Sequence, residues 1–129
     1  MKVIYEAFDG TQFEEKNECL EYELIYEEER ISEQIILLDQ YGGVIADRVS
    51  EVDFDRVFTI VVGNEEAVEF LNKLFNENDT HVPRGGFQTN TVYWWDDEKI
   101  EWTDVAEKIA ELNEEVDFFE KKLFLLRQI

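Results

Sequence analysis

The last stretch of the chain, residues 103–129, has the most regular spacing of apolar side chains. They recur at alternating intervals of four and three, which predicts a long helix with a heptad seam along one side. The seam is formed by Val105, Ile109, Leu112, Val116, Phe119, Leu123 and Leu126. Each such side chain contributes roughly 1.5–3 kcal/mol when fully buried. We therefore expect another element, or a second copy of the chain, to cover the seam.

Charges beside this seam limit how two copies of the helix can pair. If Ile109 is an a position of the heptad, parallel in-register pairing opposes Glu115 to Glu120, which is repulsive. The same pairing opposes Lys122 to Arg127. Antiparallel packing, on the first helix or on another copy, avoids both conflicts, so a homodimer is one arrangement that the sequence allows. Further apolar side chains predict additional packing against the sheet: Phe118, Phe124, Leu125 and Ile129.

The beginning of the chain predicts a hairpin followed by a helix. Residues 2–8 alternate loosely, and Asp9-Gly10 is a dipeptide typical of tight hairpin turns, with residues 11–13 as the return strand. Residues 17–30 have helical spacing, with Asn17 as the N-cap and glutamates along the outer face.

The middle of the chain predicts a second hairpin, a central strand and a second helix. Residues 34–39 are apolar and lead to a Gly-Gly pair, which predicts the hairpin. Residues 56–62 are apolar on both alternating faces, as expected for a strand in the middle of a sheet. Asn64 is a good N-cap for a helix that extends to about Asn78. Residues 77–90 have no periodicity and predict a long connecting loop.

A third hairpin is predicted over residues 91–102, with its turn at Asp97-Glu98. In this register Tyr93 faces Trp102 on an aromatic core face. Trp94 points to the opposite face beside acidic residues. It either packs under a helix or the loop, or it is a partly exposed aromatic anchor for a partner. Together the elements predict a single α+β domain over residues 1–129, with an antiparallel or mixed sheet covered by three helices.

The charge of the chain is its most unusual global property. The 129 residues include 32 acids and 12 bases, which gives a formal net charge of −20. Such a charge repels nucleic acid and anionic lipid, so direct binding to either is disfavoured. The acids either provide solubility or engage a basic protein surface, for instance by imitating a phosphate backbone. The candidate partner-binding residues are Glu21, Glu27, Glu28, Glu29, Asp96, Asp97, Glu98, Glu101, Glu111, Glu114, Glu115, Trp94 and Arg84.

Residues that carry chemistry are few. Cys19 and His81 are the only residues of their types, so the sequence predicts neither an internal disulfide nor a Cys/His zinc site. Phosphate-binding glycine loops, nucleophile elbows and zinc-protease motifs do not occur in it. We therefore expect no cofactor, no metal and no enzymatic activity. Without a secretory leader or a long apolar run, the expected compartment is a reducing cytoplasm.

Residues 7–23, AFDGTQFEEKNECLEYE, resemble the N-terminal module of small acidic proteins from bacteriophages and prophages of Gram-positive bacteria. Residues 57–75 and 92–115 are similar in layout to the later parts of such proteins. The resemblance implies phage origin and a role in the host cytoplasm during infection. By analogy with anti-CRISPR and anti-restriction proteins, it implies inhibition of a bacterial defence system. The matching residues are Ala7, Asp9, Gly10, Phe13, Cys19, Tyr22 and Glu23.

Three functions thus remain open from the sequence. The first is a non-enzymatic phage inhibitor that binds a basic host protein, such as a nuclease, through acidic surfaces. The second is a binder of a small signalling nucleotide, with Trp94 and the Arg84 loop closing over the ligand. The third is an assembly protein that oligomerises through its last helix.

Overall fold

A computed structural model describes residues 2–129, and its centre is a four-stranded antiparallel sheet. The strands are β3 (Ile35–Leu38), β4 (Thr59–Val62), β5 (Thr91–Asp96) and β6 (Glu101–Asp104), and they lie in the order β3-β4-β5-β6. The predicted mid-sheet position of β4 is confirmed, because both its edges are paired. Its side chains alternate between buried and half-buried, so one face of the sheet is fully covered and the other only in part.

The covered face packs against the helix α2 (Glu65–Glu77). Asn64 is its N-cap as predicted, because the side-chain Oδ1 of Asn64 accepts a hydrogen bond from the backbone N–H of Ala67 at 3.0 Å. The inward side chains of α2 recur at helical spacing and are buried, and together with β4 they form the main core. The most deeply buried members are Ile60, Val62, Ala67, Leu71, Phe75 and Phe87.

The N-terminal hairpin is shorter than predicted, with strands β1 (Tyr5–Glu6) and β2 (Gln12–Phe13) of two residues each. The turn at Asp9-Gly10 is present, and Gly10 has a positive φ of 90°, which favours glycine. The following helix, α1 (Lys16–Ser32), begins before the predicted start. Its N-cap position is Glu15, so the prediction of Asn17 as the cap was wrong.

The second predicted hairpin is only partly formed. After β3 the chain turns through residues 39–43, where Asp39 Oδ1 accepts hydrogen bonds from the N–H groups of Tyr41 and Gly43 at 2.9 Å each. A single bridge then joins Leu38 to Val44. The regular ladder of β3 is with β4, and the returning segment pairs with β3 only at this bridge.

The third hairpin has a register two residues away from the predicted one. Tyr93 pairs with Asp104, and Trp102 pairs with Trp95. The connecting loop is therefore four residues long, 97–100, and Ile100 lies in it, exposed and with a φ of 55°. The observed register differs from the predicted one by an even number of residues, so the side chains within the two strands remain on their predicted faces of the sheet. The aromatic core face contains Tyr93, Trp95 and Trp102.

The long last helix, α3 (Val105–Leu123), continues into a 3₁₀ turn at Phe124–Gln128. Asp104 caps it, with Oδ1 accepting the N–H of Ala106 at 2.8 Å. The beginning of α3 contacts β5 and β6. Val105 is half-buried at this contact, but every residue from 109 to 129 is exposed, so within residues 2–129 no element covers the heptad seam from Ile109 onward. The structure confirms the α+β class, the three helices and the long C-terminal helix. The expected packing of the last helix against its own sheet does not extend beyond the beginning of α3.

Candidate partner-binding surfaces

Glu28, a candidate contact residue, is buried and belongs to the fold. The residue is 6% exposed, and its Oε2 accepts a hydrogen bond from Arg48 Nε at 2.6 Å. Its Oε1 accepts the N–H of Ser50 at 2.9 Å. Burial by itself raises the pKa of Glu28, but the hydrogen bonds from Ser50 and Arg48 outweigh it, so the pKa lies below its ordinary value. Glu28 ties α1 to the Val49–Glu51 turn, so it is part of the fold and not of the exposed acidic face that was expected on α1.

Asp96 is likewise a structural residue. It is 5% exposed, and its Oδ1 accepts the backbone N–H of Glu98 at 3.0 Å and that of Lys99 at 3.3 Å. This local side-chain turn fixes the loop after β5, which is the common role of aspartate at the start of a turn. Asp96 is therefore buried and not part of the exposed acidic surface that was expected, whereas its neighbours Asp97 and Glu98 are exposed.

The remaining candidates on α1 lie on an exposed and highly acidic surface. Residues 14–33 contain nine acids and only two bases, a net charge of −7, and one of these bases, Arg30, forms an ion pair with Glu66 at 2.7 Å. We call the exposed glutamates of this segment the α1 acidic surface. The sequence analysis missed four of its members, although a charge count in a sliding window finds them. The surface comprises Glu14, Glu15, Glu18, Glu21, Glu27, Glu29 and Glu33.

A second acidic region is formed by the β5–β6 loop and the first half of α3, which the fold brings together. Its carboxylates are partly neutralised by nearby cations. Lys99 Nζ lies 3.8 Å from Glu111 Oε1, and Lys108 Nζ lies 3.7 Å from Glu111 Oε2. Glu101 is 3.9 Å from Arg84. The other candidates on these elements are exposed: Asp97, Glu98, Glu114 and Glu115.

Trp94 and Arg84 do not come together in one site. Trp94 is 39% exposed on the less covered face of the sheet, in the row next to Ile36 and Val92. The Arg84 side chain is 93% exposed and lies at a small cavity of about 170 Å³ that Trp94 does not line. Three carboxylates also line that cavity, which makes it unfavourable for an anionic ligand: Glu101, Asp104 and Glu107.

A groove between α1 and α2, which sequence reasoning missed, has a volume of about 680 Å³. Its apolar walls include Leu24, Phe70 and Leu74. Two of its cations are already engaged, since Arg30 pairs with Glu66 and Arg48 with Glu28. The groove therefore offers no free cluster of cations for a phosphate group. Local sequence patterns could not predict it, because its walls come from segments that are far apart in the chain.

The residues of the N-terminal module pack on one another. The Tyr22 hydroxyl donates a hydrogen bond to Asp9 Oδ2 at 2.6 Å, which lowers the pKa of Asp9. The rings of Phe13 and Tyr22 lie 5.2 Å apart. Burial, followed by the neighbouring Glu23 and Asp9 charges, raises the pKa of Cys19, so its thiol is a poor nucleophile. The contacts of Tyr22 with Asp9 and Phe13 therefore hold the hairpin against α1.

The seam of α3 is an exposed apolar surface. The exposed fractions are 52% for Ile109, 45% for Leu112 and 50% for Val116, and they rise to 69% at Leu126. The seam side chains and their neighbours form a shallow groove along the helix. It is lined by Leu112, Glu115, Val116, Phe119, Glu120, Lys122 and Leu123. Contiguous apolar patches of this kind typically mark protein interaction sites.

Within the part of the chain that the structure describes, no helix is long and apolar enough to cross a membrane. Over the same residues, no group of three or more His, Cys, Asp or Glu side chains is arranged to hold a metal ion. Comparisons with protein-family models, with curated proteins and with solved structures find no match to this chain. The two acidic regions and the α3 seam are therefore the features on which a function can be argued.

Proposed function

We propose that this chain is a non-enzymatic protein that acts by binding a basic partner protein, with the α1 acidic surface as the main contact. The observation that carries the proposal is the concentration of exposed carboxylates along α1, whose segment has a net charge of −7. The acids near the β5–β6 loop have cations of the same chain beside them. The α1 carboxylates have few such neighbours, so a partner's lysines and arginines can neutralise them.

The chemistry of the partner follows from this charge. A row of carboxylates on a rigid helix suits a groove that is lined with Lys and Arg to hold a phosphate backbone, and a net charge of −20 accelerates the encounter with it. With the resemblance of residues 7–23 to phage proteins, the proposed partner is a bacterial defence or nucleic-acid-handling protein. The chain then inhibits it by occupying its nucleic-acid groove.

The alternative of a small-nucleotide binder has less support. Its two proposed contact residues lie at different places, and the cavity beside Arg84 is small and lined by three carboxylates. The alternative of an assembly protein is supported by a separate observation, the exposed seam of α3, and it is compatible with partner binding because α1 is a different surface.

The experiment is a pull-down from a bacterial lysate with the tagged chain, eluted by a salt gradient and identified by mass spectrometry. We expect a stoichiometric basic protein that elutes at moderate salt, since exposed charge pairs are screened. The variant with Glu18, Glu21 and Glu29 changed to Lys should lose this protein. The control variant with Asp97, Glu98 and Glu114 changed to Lys has the same change in net charge and should retain it.

Two results would contradict the proposal. The first is equal loss in both variants, which would indicate a response to net charge alone. The second is a captured partner that resists high salt, which would indicate an apolar interface elsewhere on the chain.

A further inference from the structure

We infer that the α3 helices of two copies of this chain pair antiparallel, forming a symmetric dimer whose two-fold axis passes between Asp117 and Phe118. This goes beyond partner binding through α1 and depends on different residues. The chain exposes more surface than a compact monomer of its size does. The chain exposes 9710 Å², whereas a compact monomer of its 15.4 kDa mass exposes about 7,200 Å².

The excess of about 2,500 Å² is larger than the roughly 800 Å² per partner that a standard protein interface hides. Much of it comes from α3, because every residue from 109 onward is exposed and the seam faces solvent. One further chain that covers the seam therefore has enough area to form a stable interface.

The distribution of charge along α3 makes the helix complementary to itself. Residues 105–117 contain five acids and one base, a net charge of −4. Residues 118–129 contain three bases and one acid, a net charge of +2. Antiparallel pairing places the acidic half of each helix on the basic half of the other. The same surface of both copies is then self-complementary, which a two-fold symmetric interface requires.

The side chains beside the seam select one register. In antiparallel coiled coils an a residue faces a d residue, and the flanking g positions face one another. Centred between Asp117 and Phe118, this register places Glu115 of each copy opposite Lys122 of the other. The core layers then pair Ile109 with Leu126, Leu112 with Leu123, and Val116 with Phe119.

Neighbouring registers are worse. A shift of one heptad in one direction opposes Lys108 to Lys122 and brings the two copies of Glu115 together. A shift in the other direction opposes the two copies of Lys122 and removes Ile109 and Leu112 from the core layers. The inferred register is the one among these three that keeps three different core layers and has opposite charges at its g positions.

The experiment measures the mass of the full chain in solution by sedimentation equilibrium over a range of concentrations. We expect a dimer for the native chain and a monomer for Val116→Glu, which places a carboxylate in the central layer on each side of the axis. The control is Leu24→Glu, on α1, where the side chain is 65% exposed, and it should stay dimeric. A native chain that is monomeric at every concentration would overturn the inference. The α3 seam would then be covered by another part of the same chain or by a different protein.

Charge exchange tests the direction and register without disturbing the core. Glu115→Lys alone and Lys122→Glu alone each replace two attractive pairs by two repulsive ones, and each should raise the dimer dissociation constant about tenfold. The double variant restores opposite charges and should return close to the native value. A parallel dimer would respond oppositely, because Glu115→Lys then faces Glu120. Stronger association of either single variant would therefore overturn the antiparallel arrangement.

Discussion

Replacing Glu28 by Gln tests whether one buried carboxylate holds α1 onto the rest of the fold. Glutamine keeps the size of the side chain but replaces one of the two carboxylate oxygens by an NH2 group, which would face either the Ser50 N–H or the Arg48 guanidinium, both of them donors. A hydrogen bond to a charged group contributes about 1.5–3 kcal/mol. The side chain of Arg48 is 36% exposed and water can partly replace its partner. We therefore expect a loss of about 1–2 kcal/mol in the free energy of unfolding at neutral pH.

The pH dependence gives this prediction a second, independent test. The pKa of Glu28 is lower in the folded chain than its ordinary value, because the hydrogen bonds from Ser50 and Arg48 outweigh the effect of burial. Its contribution to stability is therefore complete above the unfolded pKa, about 4.3, and is lost as the pH falls through the folded pKa. The difference in stability between the native chain and Glu28→Gln should shrink in acid.

The assay is urea unfolding followed by tryptophan fluorescence, at neutral pH and again below about pH 4. Glu27→Gln is the matched control, because it makes the same charge change at an exposed neighbour on α1. It should alter the unfolding free energy by less than about 0.5 kcal/mol. The reasoning fails if both substitutions have the same effect, or if the difference caused by Glu28→Gln persists unchanged in acid.

Two further predictions use pairs of similar residues in different surroundings, measured by the same unfolding assay. Asn64→Ala should cost about 1 kcal/mol because it removes the N-cap of α2, whereas Asn17→Ala, inside α1, should be neutral; equal effects would contradict the capping assignment. Gly85 and Gly86 both have φ near 80°, but only at Gly86 would a new Cβ lie 3.1 Å from Asn72 Oδ1, the acceptor for the Phe87 N–H. Gly86→Ala should therefore destabilise more than Gly85→Ala, and the reverse order would refute the role of that close approach.

Elements whose position depends on local pattern could be predicted from the sequence. The central strand β4 followed from its apolar residues, and α2 followed from Asn64 and the helical spacing of Ala67, Leu71 and Phe75. In both cases the same residues that define the element also face the core. Local preference and tertiary packing then agree, which is the condition under which pattern-based prediction is reliable.

Two of the errors concern polar side chains that are buried by a distant or specific partner. Glu28 lies in a run of three glutamates and reads as a surface residue, but Arg48, twenty positions later, draws it into the fold. Asp96 reads as part of an acidic turn, yet its hydrogen bonds to the backbone lengthen the loop and move the register by two residues. Alternation cannot detect such a shift, because an even displacement leaves the same faces inside.

The two proposed interaction surfaces differ in local charge, and this makes them compatible. Residues 14–33 have a net charge of −7, while α3 and its 3₁₀ extension, residues 105–129, have six acids and four bases, a net charge of only −2. Two chains of charge −20 repel one another. Self-association is therefore best placed where the local charge is small and self-complementary. Binding of a basic partner is best placed where the local charge is largest, so each proposed contact agrees with the charge of its surface.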